Sequence, residues 1–449
     1  MLGVSANPYY SSTFNGKHVV QGAGASFPNR LYQDATFAYR FVVNDSSVSY
    51  LSTGSGKGKC RIKSPEDECS DTLEPQQIDY AGSDSLLTDA EYEQYPDLQM
   101  YPVVGGAVVP IYNLENITRD DPPLVLDRET LARIFLQNIT SWGAESIRRL
   151  NPELDRLGKL PDAAISVAVR EDKSGTTEIF KKALARFSSE FSTRVGTSSK
   201  NDWAIKDPPI LHHQRDTNAG VAAFVVATSN SIGYSVLGEA LALKLQYASI
   251  VQGDSTVVAS SQSVEFALLE KGLEFGNNGD QSDRLTADVQ DAKGVFAWPI
   301  TGYTYLIMRK NQVHGQPLDR LRSGAECENV KHTVAYWNWF LSDPLVRSLA
   351  ARHGFAPIPD AVTNIVLSRL NADVLCNGKH ASLSEDNALR TVQVSGNSTM
   401  VVEKVMSLFT EAYSRVAPTT QIHNSLTPET HQITGITAGD ASSDYIAVV

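Results

Sequence analysis

A chain of 449 residues, 42% hydrophobic and 20% charged, has the make-up of an ordinary globular protein with room for about two to four compact units. Its formal net charge of -12 argues against nucleic acid or an anionic membrane surface as a partner, because both demand a basic face. A small anion stays compatible, since a few aimed dipoles hold it inside a negatively charged surface.

No apolar run approaches the length of a bilayer span, so no direct membrane insertion is expected. Met1-Leu-Gly-Val-Ser is followed by polar residues instead of a signal-peptide core; any export signal is expected to have been removed or to lie outside this sequence. Cys60, Cys69, Cys327 and Cys376 lack the paired short spacing of a zinc site, and their even number permits two disulfides. The expected pairing is Cys60 with Cys69 and Cys327 with Cys376. Four N-x-[ST] sequons, at Asn44, Asn116, Asn138 and Asn397, fit a glycosylated extracellular or cell-surface protein.

Residues 1–16 are polar and aromatic without periodicity, as in an N-terminal arm. His18-Val-Val-Gln-Gly-Ala-Gly-Ala-Ser-Phe-Pro28 predicts a strand, a glycine-rich turn and a helix with Pro28 in its first turn and Ser26 at the cap. Leu31, Ala35, Phe37, Ala38 and Phe41 are its predicted apolar face. Val48-Ser-Tyr-Leu-Ser-Thr-Gly-Ser-Gly-Lys-Gly58 is a second alternating strand ending in glycines and hydroxyls, with Ser55 placed to donate to an anion. Ile78-Asp-Tyr-Ala-Gly-Ser-Asp84 predicts a strand ending in a buried carboxylate, and Thr88-Asp-Ala-Glu91 a capping box. A carboxylate beside a bound anion repels it unless a proton lies between them, so Asp84 would be expected to select a protonated anion, such as hydrogen phosphate, over sulfate.

The central stretch is Val169-Arg-Glu-Asp-Lys-Ser-Gly-Thr-Thr177, set between an alternating run (Ala164 to Val169) and a helical pattern (Thr177 to Phe187). Ser174, Gly175 and Thr176 fall where the first helical N–H groups have no internal partner, so donors, hydroxyls and the dipole converge on one point. Arg170 adds a permanently charged fork that matches phosphate or carboxylate oxygens, and Asp172 is placed to brace it. His212-His213 has no partner at helical spacing and is assigned to a surface loop; no metal site is expected. The tryptophans at 142, 203, 298, 337 and 339 are assigned to the core. No nucleophile stands with a general base, so an enzyme is not expected.

Gly22-Ala-Gly-Ala-Ser-Phe-Pro, Thr53-Gly-Ser-Gly, Tyr80-Ala-Gly-Ser-Asp84 and Arg170-x-Asp-x-Ser-Gly-Thr176 resemble, in order and spacing, the four anion-binding loops of the bacterial periplasmic phosphate-binding protein that feeds the phosphate ABC transporter. The resemblance runs from about Gly16 to Gly378 through Val104-Gly-Gly-Ala-Val-Val109, Asn218-Ala-Gly-Val-Ala-Ala-Phe224, Ala297-Trp-Pro-Ile-Thr301 and Phe355-Ala-Pro-Ile-Pro-Asp360. It implies an α/β fold of two lobes (type II), each a mixed sheet flanked by helices, joined by two hinge strands near Met100 to Gly105 and Trp298 to Thr304. Lobe 1 is expected from 17–103 with 300–378, and lobe 2 from 104–299. Carried over, the phosphate ligands are Ala25, Ser26 and Phe27, then Ser55, Asp84, Arg170, Ser174, Gly175 and Thr176, with Asp172 bracing Arg170. Ser26 stands where that family has threonine, which keeps the hydroxyl. The resemblance implies inorganic phosphate as ligand, no cofactor and a membrane transporter as partner.

After a linker at 379–390, residues 391–449 predict strand, helix and strand again in the order of Val19 to Ser55, and Ala441-Ser-Ser-Asp444 echoes Ala81-Gly-Ser-Asp84. This is expected to be the start of a second, incomplete repeat. A lone βαβ start leaves an apolar face open, so the tail is expected to continue in a longer parent protein or to dock on a further copy. That tail supports an alternative to phosphate capture, a matrix or surface assembly protein that reuses the fold.

Overall fold

The computed structural model describes residues 18–381, apart from 44–45, 64–68, 70–72, 74–76, 119, 204–211, 273–282 and 311–323. The arm, the tail, Asn44 and Asn397 lie outside the described residues. In chain order, β1 (His18–Gly24), α1 (Asn29–Tyr39), β2 (Ser46–Ser52), α2 (Ser55–Lys63), β3 (Tyr80–Ser83) and α3 (Asp89–Gln94) lead to the 16-residue strand β4 (Leu98–Asn113). The middle of the chain gives β5 (Val125–Leu126), α4 (Arg128–Phe135), α5 (Glu145–Leu150), α6 (Pro152–Arg156), β6 (Ser166–Arg170), α7 (Gly175–Phe187), α8 (Ser189–Arg194) and β7 (His213–Arg215). It continues through α9 (Thr217–Ala227), β8 (Ser231–Val236), α10 (Leu237–Leu243), β9 (Gln246–Tyr247), β10 (Ser249–Gln252), β11 (Ser255–Val257) and α11 (Ser261–Lys271). The return is β12 (Thr301–Arg309), α12 (Gly324–Ser342), α13 (Pro344–Arg352), β13 (Phe355–Pro357), α14 (Asp360–Asp373), β14 (Leu375–Cys376) and β15 (Lys379–His380).

The main strands run in the order β2-β1-β3-β12-β4-β8-β6-β7. Strand β4 carries this path from one lobe to the other: it pairs antiparallel with β12 as far as Ala107, then antiparallel with β8 from Val108. Every residue of β4 except Asn113 is buried, which is why its sequence is almost unbroken apolar instead of alternating. Gly105 and Gly106 let side chains cross it closely, with Leu268 over the first and the rings of Phe27 and Phe355 over the second.

β1, β2 and β3 are parallel, in a register that aligns Gly24 with Ser52 and with Gly82. Three loops therefore leave one edge of the sheet side by side. In the other lobe β6 is parallel to both β7 and β8, so Arg170 at its end opens toward the carboxyl edge where α/β sheets bind ligands. Both expected disulfides are present: Cys60 to Cys69 behind α2, and Cys327 of α12 to Cys376 of β14.

Two local expectations are corrected. Helix α1 buries Leu31, Tyr32, Ala35, Thr36 and Tyr39, while Phe37 and Phe41 stand exposed, because Tyr32 and Tyr39 pack into the aromatic cluster of Tyr50, Tyr336 and Trp337. His212, expected on a surface loop, is half-buried against Trp203 and Phe135, which pushes its pKa down to about 4, while His213 stands exposed at the start of β7. Trp142, Trp203, Trp298 and Trp337 are fully buried and Trp339 packs on the same core, as expected.

Candidate anion-binding site

The predicted residues come together where the two lobes meet. Helix α7 begins at Gly175 with Ser174 as its N-cap, whose Oγ accepts the Thr177 N–H at 3.2 Å and keeps its own hydroxyl proton available. The amides of Gly175 and Thr176 open the helix and have no acceptor one turn back. A Cβ added at Gly175 would lie 2.6 Å from Asp84 Cβ and 2.6 Å from Ser85 N, so α7 of one lobe abuts the end of β3 in the other. The lobes are shut elsewhere too. Gly56 N–H donates to the Lys173 carbonyl at 3.2 Å, and Arg30 Nε of α1 donates to Glu239 Oε2 of α10 at 2.8 Å.

Arg170 is buried and its guanidinium is held from two sides. Nε and Nη2 donate to the two carboxylate oxygens of Asp172 at 2.7 and 2.5 Å, and Nη1 donates to Asn218 Oδ1 at 2.8 Å. Asn218 Nδ2 in turn donates to Thr176 Oγ1 at 3.2 Å. Burial pushes the Asp172 carboxyl up, but the Arg170 fork and the Thr217 N–H outweigh it and hold it below the usual range. The pair is thus ionised and fixed, and its planar face is set before any ligand arrives.

Asp84 follows β3 and is 5% exposed. Thr304 Oγ1 donates to its Oδ1 at 2.8 Å, Ser55 Oγ lies 3.4 Å from Oδ2, and the Asp84 N–H donates to Ser55 Oγ at 3.1 Å. Burial lifts its pKa to about 7, against the pull of Thr304, Arg170 and Ser55. A cavity lined by Leu86, Glu178, Lys182 and Tyr303 reaches Asp84 from the β12 side. Near neutrality Asp84 is thus balanced between a carboxylate, which only accepts hydrogen bonds, and a neutral acid, which can also donate one.

The first loop departs from expectation in two ways. Helix α1 starts at Asn29 with Pro28 at the cap and no side-chain cap, so the Ser26 hydroxyl is not used on the helix; it is buried without a protein partner. Ala25 commits its N–H to the Gly82 carbonyl at 2.8 Å and its own carbonyl to Tyr50 Oη at 2.7 Å. The Ala25 amide is thus committed within the fold and anchors the loop against β3. Thr53, which opens the second loop motif but is not among the predicted ligands, has a second buried hydroxyl without a protein partner, held where the Thr53 and Gly54 N–H groups both donate to the Gly24 carbonyl. Asn218, Thr304 and Tyr234, whose Oη accepts the Arg170 N–H at 3.2 Å, were also missed.

Of the sequons, Asn116 and Asn138 are exposed, and Asn138 Nδ2 donates to Glu190. Among the described residues no helix is long and apolar enough to cross a membrane.

Comparison with known proteins agrees with this geometry. The model of the PBP superfamily domain matches residues 11–343. The phosphate-binding protein PstS of Xylella fastidiosa (strain 9a5c) is 33% identical over 291 residues, covering 65% of this chain and 72% of its own. PstS of Methanocaldococcus jannaschii is 28% identical over 360 residues, covering 79% and 86%. A solved high-affinity periplasmic phosphate-binding protein (PfluDING), bound with phosphate, superposes with a TM-score of 0.61 at 19% identity, over 83% of this chain and 98% of that one, a likeness of fold. The chain belongs to the PBP superfamily, in the family of the phosphate-binding protein PstS.

Proposed function

We propose that this protein captures inorganic phosphate as hydrogen phosphate in the closed cleft between its lobes. The observation that carries the reading is the meeting of Asp84 and the start of α2 from one lobe with the open N-terminus of α7 and the braced Arg170 from the other. An anion with four oxygens can take the open amides of the α7 N-terminus, the Arg170 fork and the hydroxyls of this set. In this reading Arg170, Ser174, Gly175, Thr176, Ser26, Phe27 and Ser55 donate, Asp172 braces Arg170, and Asp84 accepts the phosphate proton. Charge-assisted hydrogen bonds of about 1.5–3 kcal/mol each offset the dehydration of the ion.

The protein is a binding protein that acts outside the cytoplasm, handing phosphate to a membrane transporter; its two disulfides suit an oxidising compartment. Lobe boundaries at 103/104 and 299/300 and glycans at Asn116 and Asn138 belong to the same proposal. The test is calorimetric titration of phosphate into stripped protein, with sulfate as competitor. Saturable phosphate heat at one site per chain, resistant to sulfate, is expected; absence of heat and of thermal stabilisation overturns the reading.

A further inference from the structure

We propose that His18, Glu328 and His332 form a binding site for a divalent transition cation, zinc above all, in the lobe that carries β1 and α12. Glu328 and His332 are four residues apart on α12 and so share one face of the helix. His18, the first residue of β1, stacks on His332 with ring centroids 4.4 Å apart and planes at 23°. One donor atom from each of the three side chains lies within 4.8 Å of the other two.

The chemistry of the set points to a metal. Two imidazoles and a carboxylate bring to one place three groups that can each present a lone pair to a cation. Two nitrogens and an oxygen are the ligands zinc takes in three-ligand sites, with water in the fourth position. At zinc bond lengths a tetrahedron sets ligand atoms about 3.3 Å apart, so the stacked rings turn to aim their in-plane lone pairs at one ion when it binds. Lys331 Nζ lies 2.9 Å from Glu328 Oε1, which leaves the second carboxylate oxygen for the ion. The scaffold is stiff on both sides: His332 is 6% exposed, and the Cys327–Cys376 bridge ties down the helix one residue before Glu328. The site lies six residues of extended strand from the anion loop, about 20 Å, so it is independent of phosphate.

The experiment is calorimetric titration of zinc chloride into the chelator-treated full chain in phosphate-free buffer, with thermal unfolding in parallel. Wild type is expected to take up one zinc with a rise in Tm. His18→Gln and Glu328→Gln, both at partly exposed positions, are each expected to weaken it about tenfold or more, since even groups that only support metal ligands cost that much. His213→Gln, an exposed histidine of the other lobe, is expected to leave it unchanged. Retained phosphate binding in each variant certifies its fold. No saturable zinc uptake by wild type, or an affinity that neither His18→Gln nor Glu328→Gln alters, overturns the proposal.

Discussion

Replacing Gly175 by alanine separates closure from folding. The added Cβ would meet Asp84 Cβ and Ser85 N at 2.6 Å, whereas carbon contacts settle near 3.5–4.0 Å, so the cleft wall must retreat by about 0.9 Å. Both obstructing atoms belong to the opposite lobe, and the clash disappears when the lobes part. The overpacking cost of about 1–3 kcal/mol therefore falls on the closed, ligand-holding state, raising the phosphate Kd about 5- to 140-fold. The open protein gains instead, because alanine outranks glycine in a helix by up to about 1 kcal/mol. Titration calorimetry and thermal unfolding of stripped protein read the two effects apart. A Kd within about twofold of wild type, or a fall in ligand-free Tm, refutes the reasoning.

Asp84 makes ligand-free stability depend on pH. With its pKa near 7 in the fold against an ordinary 3.8, the folded protein holds the extra proton, so stability declines as pH rises from about 4 to 7, by about 4 kcal/mol in total. Denaturant unfolding at either end of that window should show the decline, and Asp84→Asn should abolish it; parallel pH profiles for the two proteins contradict the assignment. The same titration erodes selectivity: protonated Asp84 offers sulfate a hydrogen bond, so sulfate affinity is expected to rise from pH 8 to 5.5, as competition titrations would reveal. Arg170→Lys keeps the charge but loses the fork and should weaken phosphate about tenfold to a hundredfold, while Arg170→Ala also strands Asp172 and costs about 3–5 kcal/mol of stability. Calorimetry and melting of both variants test the split. Opening the Cys327–Cys376 loop, with 49 residues of separation, should cost about 4 kcal/mol, and the Cys60–Cys69 loop, with 9, about 3 kcal/mol; paired Cys→Ser variants compared by denaturant unfolding check the order.

The parts of the site set by neighbours in sequence were legible. Ser174-Gly-Thr marks a helix start because cap, turn and dipole are local matters, and Thr88 with Glu91 forms the predicted capping box for the same reason. Arg170 and Asp172 pair across two residues. What escaped depends on distance along the chain: Thr304 reaches Asp84 across 220 positions and Asn218 reaches Arg170 across 48, and nothing in either local sequence distinguishes such a side chain from any other buried polar group. The α1 face was misread because tyrosines took the core positions that a hydrophobicity count gave to Phe37 and Phe41. The commitment of the Ala25 amide to the Gly82 carbonyl was not legible either, because its acceptor lies on β3, a separate stretch of chain.

The helices that end at the cleft carry like poles. α1 and α2 belong to one lobe and α7 to the other, and each presents roughly half a positive charge at its N-terminus, with the full charge of Arg170 beside them. Shut without an anion, these ends push against one another; shut on a dianion, they become its walls. Like poles thus favour opening and a bound anion favours closure, so the outline of the two lobes records whether an anion is held.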